Sequence, residues 1–480
     1  MTQSGVRTLA AAAASLRPLL CLAAGVVLVQ AIALLALVVQ PRRRPYSTHA
    51  DDPASKASMH STPAQSYRKT LGIDPPLGFD AWAQFADQSS CSADVNDYSQ
   101  IYRDLQPWWN DGIQEDWLSH VNLTFFCNVL VTFDPESRQF LNYKQQWTTD
   151  INAVLDPIAH LFHAHKEFKF ILNSGDQPRH VWEPSFNGNI FTSPEQFFKH
   201  SQCFRGRYGA IRETNSFLKD PGSYDTANTP APLMSQSKVE CFRDILVPLW
   251  YHTNIAENIK TDVIPWSDKL NVLFWRGANR GGAARTHSSW QTYQRFRLLD
   301  WAYNYAIEHP GITFDAGKNE TPPAPEGQIS MDIGFHKLFD DFAMDEATKT
   351  YLVQRYPLKH EVSFNKTLQF KYLIVVDGHA WPSRFQSYLQ TNSVILFNGI
   401  FTDFFNWRLK PWVHYVPIRT DFSDLEDVLE WLQKHEDKAE QISKNAQALM
   451  KEVNRIQHLQ CYMSLVLLEY SRLYEKGRKG

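Results

Sequence analysis

The chain has 480 residues and a formal net charge of -3, so it is long enough for two domains of ordinary size and lacks the global basic excess of a nucleic-acid binder. Its only dense basic run outside the extreme C-terminus is Arg42-Arg43-Arg44. Aromatic residues make up 13%, including 15 Trp; such rings can stack on sugars, although core filling accounts for most of them.

Leu19 to Val39 is an apolar stretch interrupted only by Gln30 and small residues. About twenty such residues cross a bilayer core, and a signal peptide has a shorter apolar region with a small-residue cleavage site. The expectation is a single-pass type II membrane anchor at 19–39, behind a cytosolic tail at 1–18. Arg7 and Arg17 against Arg42 to Arg44 would, by the positive-inside rule, place the body in the cytosol. Asn-X-Thr sequons at Asn122, Asn319 and Asn365 favour a lumenal body instead, and that is the orientation adopted. Residues 40–75, rich in Ser, Thr, Pro, Ala and charge, read as a flexible stem. The C-terminal KGRKG has no KDEL-type signal and the anchor is long, which favours Golgi over endoplasmic reticulum. Of the 6 cysteines, Cys21 lies in the span; Cys91, Cys127, Cys203, Cys241 and Cys461 allow two disulfides with one thiol left over, and their pairing stays open.

From Leu77 the composition becomes globular. Phe79, Trp82 and Phe85 recur at helical spacing, as do Tyr98, Ile101, Tyr102 and Leu105; Ile151 to His165 is a further helical candidate. Within it His160 and His163 share a face while His165 points elsewhere, the pattern of structural or surface histidines rather than of metal ligands. Phe168 to Asn173 reads as a strand that enters Ser-Gly-Asp-Gln-Pro, placing Asp176 on a loop stiffened by Pro178. Taken alone, Asp176 is first of all a turn-stabilising aspartate. A polar segment at about 220–237 reads as a connection between halves.

Further strands are predicted at Cys241-Phe-Arg-Asp-Ile-Leu-Val-Pro and at Asn271-Val-Leu-Phe-Trp-Arg-Gly-Ala-Asn-Arg-Gly-Gly, the second opening into a Gly-rich, Arg-bearing loop. Leu373 to Val376 is a strand cut by Asp377-Gly378, after which a polar loop delivers Ser383 and Arg384 to the start of a helix through Phe385, Tyr388 and Leu389. Strands follow at Val394 to Phe397 and at Trp412 to Ile418. Ser423-Asp-Leu-Glu forms a capping box for a helix with Leu425, Val428, Leu429 and Leu432 on one face, and helical pattern continues to near Tyr474.

Strands alternating with helices predict an α/β fold with parallel sheet, whose ligands bind beyond the carboxyl ends of the strands. The WRGANRGG and DGHAWPSRF loops both bring arginine and glycine to such ends. Guanidinium forks pair phosphate oxygens, and glycine lets backbone N–H groups approach them, a combination suited to a diphosphate. Neither loop is a Walker loop or a GxGxxG fingerprint, and no GxSxG elbow occurs, so kinase, GTPase, nicotinamide and α/β-hydrolase readings lose support. No Asp-x-Asp occurs either, which favours arginines and backbone dipoles over a metal-held diphosphate; a divalent ion stays possible but unsupported.

FWRG with its trailing Gly-Gly, CFRDILVP, KYLIVVDGHAWPSRF and above all LKPWVHYVP, with PLGFDAWAQFA and DYSQIYRDL nearer the start, resemble the capsule-associated glycosyltransferase family, glycosyltransferase family 90. That family includes fungal capsule xylosyltransferases and animal protein O-glucosyltransferases, and the resemblance runs from about Pro75 to Tyr474. It implies a GT-B fold, two Rossmann-like domains facing a cleft: an acceptor and catalytic-base domain at 76–230, a UDP-sugar-binding domain at 231–430, and C-terminal helices at 431–480. It implies inverting transfer from a UDP-sugar, xylose or glucose, to a glycan or protein hydroxyl in the secretory pathway, with no required metal or other cofactor. By the same resemblance Asp176 is the catalytic base. Nucleotide binding falls on Arg276, Gly277 and Ala278, on Arg295, and on His379, Ala380, Ser383 and Arg384, with Pro248 and Tyr251 lining the same cleft. Departures occur where many fungal members have Asn-Gly-Trp-Ser-Gly-Arg and this chain has His-Ala-Trp-Pro-Ser-Arg, near Phe397-Asn398 where a lysine is common, and at Asp403 in place of a glutamate; they bear on donor identity. The alternative is an inactive relative that still binds glycan or nucleotide.

Overall fold

The computed structural model describes residues 62–479, apart from 122, 124–127, 144–150, 181–207, 209–210, 220–229, 259–260, 282–289, 324–327 and 340–343. The expected tail, anchor and most of the stem, the Asn122 sequon, and Cys21, Cys127 and Cys203 lie outside the described residues. Among the described residues no helix is long and apolar enough to cross a membrane.

Two five-stranded sheets carry the fold. The first runs in the order β2-β1-β3-β4-β6, from β1 (Asn128–Asp134), β2 (Gln139–Leu141), β3 (Phe168–Asn173), β4 (Leu233–Ser235) and β6 (Ile245–Leu246). It is mixed: β1 pairs antiparallel with β2 and β3, whereas β3, β4 and β6 are parallel. The second, in the order β12-β10-β9-β7-β8, is parallel throughout and comprises β7 (Leu270–Ala278), β8 (Ser330–Lys337), β9 (Phe370–Val376), β10 (Val394–Asn398) and β12 (Val416–Pro417). A two-stranded antiparallel ribbon of β5 (Lys238–Val239) and β11 (Phe401–Thr402) ties the chain around the first sheet to the chain around the second.

The apolar runs of the second sheet explain its burial. On β7, β9 and β10 alternate residues serve two different cores: Phe274, Leu373, Val375, Ile395 and Phe397 face the core shared with the first sheet, while Trp275, Tyr372, Ile374, Val394 and Leu396 face a core covered by the helices Gln294–Glu308 and Leu425–Lys434. Both faces are covered, as a parallel sheet requires, so these strands read as continuous apolar runs. Both halves of the chain therefore share one hydrophobic core.

The last helix, Ile456–Gly477, returns to the first half. A disulfide joins Cys91 to Cys461, the Trp82 indole donates to the Cys461 carbonyl at 3.0 Å, and the Tyr67 hydroxyl donates to buried Glu469 at 2.6 Å. Cys241 is also disulfide-bonded. Pro157, inside the helix Asn152–Ile158, cannot bond the Ala153 carbonyl; Gln460 of the returning helix takes it at 2.7 Å.

Several expectations change. The helix predicted over 151–165 shortens to Asn152–Ile158 and tightens into a 3₁₀ turn at Ala159–Phe162, with His160 and His163 each using Nδ1 on a backbone carbonyl. The capping box at Ser423 does not form: Ser423 turns to Asp421, the cap residue is Asp424, and its carboxylate accepts from the Arg419 amide. The strand expected at Trp412 to Ile418 shrinks to Val416–Pro417, because Trp412 adopts a left-handed φ of 63° and bonds Tyr415 across a tight turn. Strands β4 and β6, which follow residue 230, complete the first sheet rather than opening the second half.

Candidate active site

Strand order decides where a ligand can sit. From β7 the chain passes to β8 on one side and then to β9 on the other, so β7 and β9 are neighbours whose onward connections diverge. Such a switch point opens a crevice at the carboxyl ends of the two strands. Beyond β7 lies the Asn279–Gly281 turn; beyond β9 lies the Asp377–Arg384 loop.

Among the described residues three arginines gather there. Arg295, at the start of helix Gln294–Glu308, is buried; its Nε donates to the Asp377 carbonyl at 3.0 Å and its Nη1 to the Ala278 carbonyl at 2.8 Å, linking the ends of the two strands. A Cβ on Gly378 would lie 2.8 Å from Arg295 Nη2, so glycine there makes room for the guanidinium. Burial, then the like charges of Arg384 and Arg280, pull Arg295 down to about 9 against the opposing pull of Asp377. Arg384 donates through Nη1 to the Arg276 carbonyl at 2.5 Å. Arg280 Cζ stands over the Phe339 ring, 3.8 Å from its centroid. Like charges crowded at adjacent strand ends are complementary to a polyanion.

His379, half-buried, and Ala380, buried, line the same loop, and the Gly378 amide donates to the Ala380 carbonyl. Burial, Arg280 and Arg295 push the His379 imidazole down to about 3, so it is neutral at any working pH. Ser383 opens the helix Arg384–Tyr388 without making a side-chain capping bond; with only five residues that helix adds little dipole of its own. Gly277 and Ala278 close β7, where a Cβ on Gly277 would overlap the Trp275 ring.

Arg276, expected on the nucleotide, also has partners within the protein. Its Nη2 reaches both oxygens of buried Asp332, at 2.8 and 2.7 Å, and Asp315 at 3.2 Å, while its Nε donates to the His360 carbonyl. Lys359 shares Asp332 at 2.7 Å. Its Nε and Nη2 are thus engaged within the protein, its buried Nη1 has no partner among the described residues, and its carbonyl anchors Arg384. The reason lies in register: Arg276 is still within β7 and lies on a sheet face, whereas Arg280 lies beyond the strand end.

The parallel strands of the first sheet aim their own carboxyl ends at this crevice. Beyond β3 comes Asp176; beyond β4 come Gln236 and Ser237; beyond β6 come Pro248, buried, and Tyr251 on the helix Trp250–Glu257. The Asp176 loop is pinned through its backbone. Ser237 Oγ donates to the Asp176 carbonyl at 3.2 Å, Asn173 Nδ2 to the Gln177 carbonyl at 2.8 Å, and Asp244 accepts from the Arg179 and His180 amides. The two loops then meet: Gln177 Nε2 donates to the His379 carbonyl at 3.0 Å.

Asp176 is solvent-exposed, yet protein surrounds it closely enough for desolvation to push its carboxyl above the ordinary range, with Arg280 pulling it back. That is the signature of a carboxylate on the floor of an open cleft. Asp176 in turn is the main reason that the Tyr251 phenol is pushed up to about 12. The structure therefore gathers Asp176, Tyr251, His379, Arg295 and Arg384 from segments separated by more than two hundred positions.

Comparison with known proteins follows the same geography. The model of Glycosyl transferase family 90 matches residues 218–478, which include Tyr251, both arginine loops and the returning helix. The chain belongs to glycosyltransferase family 90. Among curated proteins it is 29% identical over 273 residues to protein O-glucosyltransferase 1 of Homo sapiens, covering 52% of this chain and 60% of that protein. It is 26% identical over 250 residues to the Rattus norvegicus protein of that name, covering 50% and 57%. To the Drosophila melanogaster O-glucosyltransferase rumi it is 24% identical over 266 residues, covering 51% and 55%. The match thus spans little more than half the length of these relatives. Asp176 lies outside the segment that defines the family match.

Two site residues were not singled out from the sequence. Arg280 was visible inside WRGANRGG, and the end of the apolar run before Gly277 was the signal that could have placed it beyond the strand, with Arg276 still inside. Gln177 carried no signal, because its partner is a backbone carbonyl 202 positions away.

Proposed function

We propose that this chain is an inverting glycosyltransferase that moves a sugar from a UDP-sugar to a hydroxyl of a protein or glycan acceptor. The observation that carries the reading is a carboxylate, Asp176, facing a crevice where Arg295 and Arg384 converge. The names of the relatives favour glucose as the sugar and a protein as the acceptor; xylose is the other candidate.

In this reading Arg295, Arg384, the backbone of Gly277 to Ala278 and the 379–384 loop with Ser383 hold the diphosphate. Pro248 and Tyr251 line the sugar side. The acceptor oxygen attacks the anomeric carbon from the face opposite UDP as its proton passes to Asp176; the bond from that carbon to the β-phosphate oxygen breaks, and UDP departs with the electron pair. The charge gained by the leaving phosphate is met by guanidinium groups already in place, so the step requires no divalent metal. A carboxyl whose pKa is raised by the cleft is better matched to proton abstraction near neutrality than an ordinary one. The Cys91–Cys461 disulfide supports an oxidising compartment, and with Leu19 to Val39 as anchor the body would stand in the lumen of the secretory pathway.

The test is Asp176→Asn on the purified body, assayed with UDP-glucose, UDP-xylose and UDP-galactose for transfer and for acceptor-free donor hydrolysis. Loss of transfer by at least about a thousandfold with UDP affinity within twofold of wild type is expected. Retained transfer refutes the base assignment, and a folded wild type that binds UDP without any turnover identifies a binding-only relative.

A further inference from the structure

We propose that Arg280 is a bridging cation, attracting Asp176 across the crevice in the free enzyme and binding the diphosphate of a bound nucleotide sugar, so that arrival of the donor releases the base for the acceptor. The inference rests on the transferase reading above and adds to it a residue that neither the family resemblance nor the sequence pattern singled out.

The placement of Arg280 is built, not incidental. Asn279 clamps the backbone of Phe339, donating through Nδ2 to its carbonyl at 3.0 Å and accepting its amide at Oδ1 at 2.7 Å. This fixes the ring over which Arg280 Cζ stands at 3.8 Å, a cation–π contact. Lys337 approaches the same ring at 4.4 Å, adding a second positive charge on that side. Arg280 Nη1 lies 3.5 Å from His379 Nε2. Because His379 is neutral, its ring nitrogen can accept from the guanidinium without repelling it. The same residue, through its carbonyl, accepts Gln177 Nε2, and Gln177 adjoins Asp176. His379 therefore joins the arginine to the base loop with one ring and one carbonyl.

Among the described residues the groups that bear on Asp176 are few. Arg280 attracts it, Tyr251 faces it, and His379 reaches its loop through Gln177. The charge of Asp176 in turn acts on Arg280, which bears on Arg295 as a like charge. A diphosphate in the crevice would sit among the same guanidiniums and offer Arg280 a denser anion than one carboxylate. The charge holding Asp176 ionised would then be shared with the ligand, leaving a carboxylate with greater affinity for the acceptor proton.

The experiment compares wild type, Arg280→Gln and Arg280→Lys by calorimetric titration with UDP and by the pH profile of kcat/KM for the acceptor. Arg280→Gln is expected to weaken UDP binding about tenfold or more and to move the acid limb of the profile up by about one pH unit, since a carboxylate loses its nearby cation. Arg280→Lys should return the limb to near its wild-type position, because charge suffices there, while recovering UDP affinity only in part, because lysine has no fork. A limb that stays in place while UDP affinity falls makes Arg280 a phosphate ligand alone and overturns the coupling. Unchanged UDP affinity overturns it equally. If Arg280→Gln unfolds, the lysine variant still decides: wild-type UDP affinity in it contradicts fork recognition. A wild type that binds UDP but never transfers sugar refutes the transferase reading itself, a result distinct from either of these.

Discussion

Replacing Gly378 by alanine tests the donor site without touching a charged group. The added Cβ would stand 2.8 Å from Arg295 Nη2, closer than real Cβ contacts allow, and Gly378 has no left-handed φ, so the cost arises from the guanidinium rather than from backbone strain. Arg295 cannot swing aside freely, because Nε and Nη1 are held by the Asp377 and Ala278 carbonyls. Hydrogen bonds involving a charged group contribute about 1.5–3 kcal/mol each, so displacing the fork should cost stability of that order. If Arg295 also grips the diphosphate, the loss of one such contact weakens UDP by a factor of about 10 to 150. Titration calorimetry with UDP, alongside urea unfolding, separates the two effects. A folded Gly378→Ala protein with wild-type affinity for UDP would falsify the placement of Arg295 against the diphosphate.

Asp377 gives a pH test independent of turnover. Burial pushes its carboxyl from 3.8 up to about 7, so the stability associated with its bound proton is complete below about pH 4 and is lost as pH rises through about 7. The Tm advantage of Asp377→Asn over wild type should therefore grow between pH 4 and 7.5; parallel curves would contradict it. The shared core predicts no large domain closure: small-angle scattering should give the same radius of gyration with and without saturating UDP, and a compaction of several ångströms would refute that view.

How much of this was readable in the sequence depended on the range of the interaction. The strands at Leu373 to Val376, Val394 to Phe397 and Phe168 to Asn173 were legible because apolar runs and Gly or Pro punctuation are local signals, and all three form as strands. Asp176 and Arg384 could be placed at strand ends for the same reason. The fate of Arg276 was not legible, since its partner Asp332 is 56 positions away and nothing local couples them. Ser423 failed as a cap because its hydroxyl bonds Asp421 two positions away and the Asp424 carboxylate takes the Arg419 amide, local competitors that the pattern does not rank. Trp412 satisfied a strand pattern in composition, but strand β12 pairs with β10 only at Val416 and Pro417, and the remaining apolar residues serve a turn.

The division of labour in the crevice follows from how the two sheets are joined. Phe274, Leu373 and Val375 of the second sheet lie in one core with Val131, Phe170 and Met234 of the first, and the helix Ile456–Gly477 closes that core through Cys461, Leu465 and Leu468. Rotating one sheet away from the other would expose this apolar surface at about 25 cal/mol per Å², so whole-domain opening is expensive. The contact that spans the crevice itself is of another kind. Among the described residues, Gln177 to the His379 carbonyl is one neutral hydrogen bond with a net contribution of about 1 kcal/mol, beside the longer-range attraction of Arg280 for Asp176. The rigid part of the molecule therefore fixes where Asp176 and the arginines stand, and the inexpensive part lies between the loops that carry them. Substrates can enter by parting Gln177 from His379 while the carboxylate and guanidinium groups keep their places, which is the arrangement that preorganised electrostatic catalysis requires.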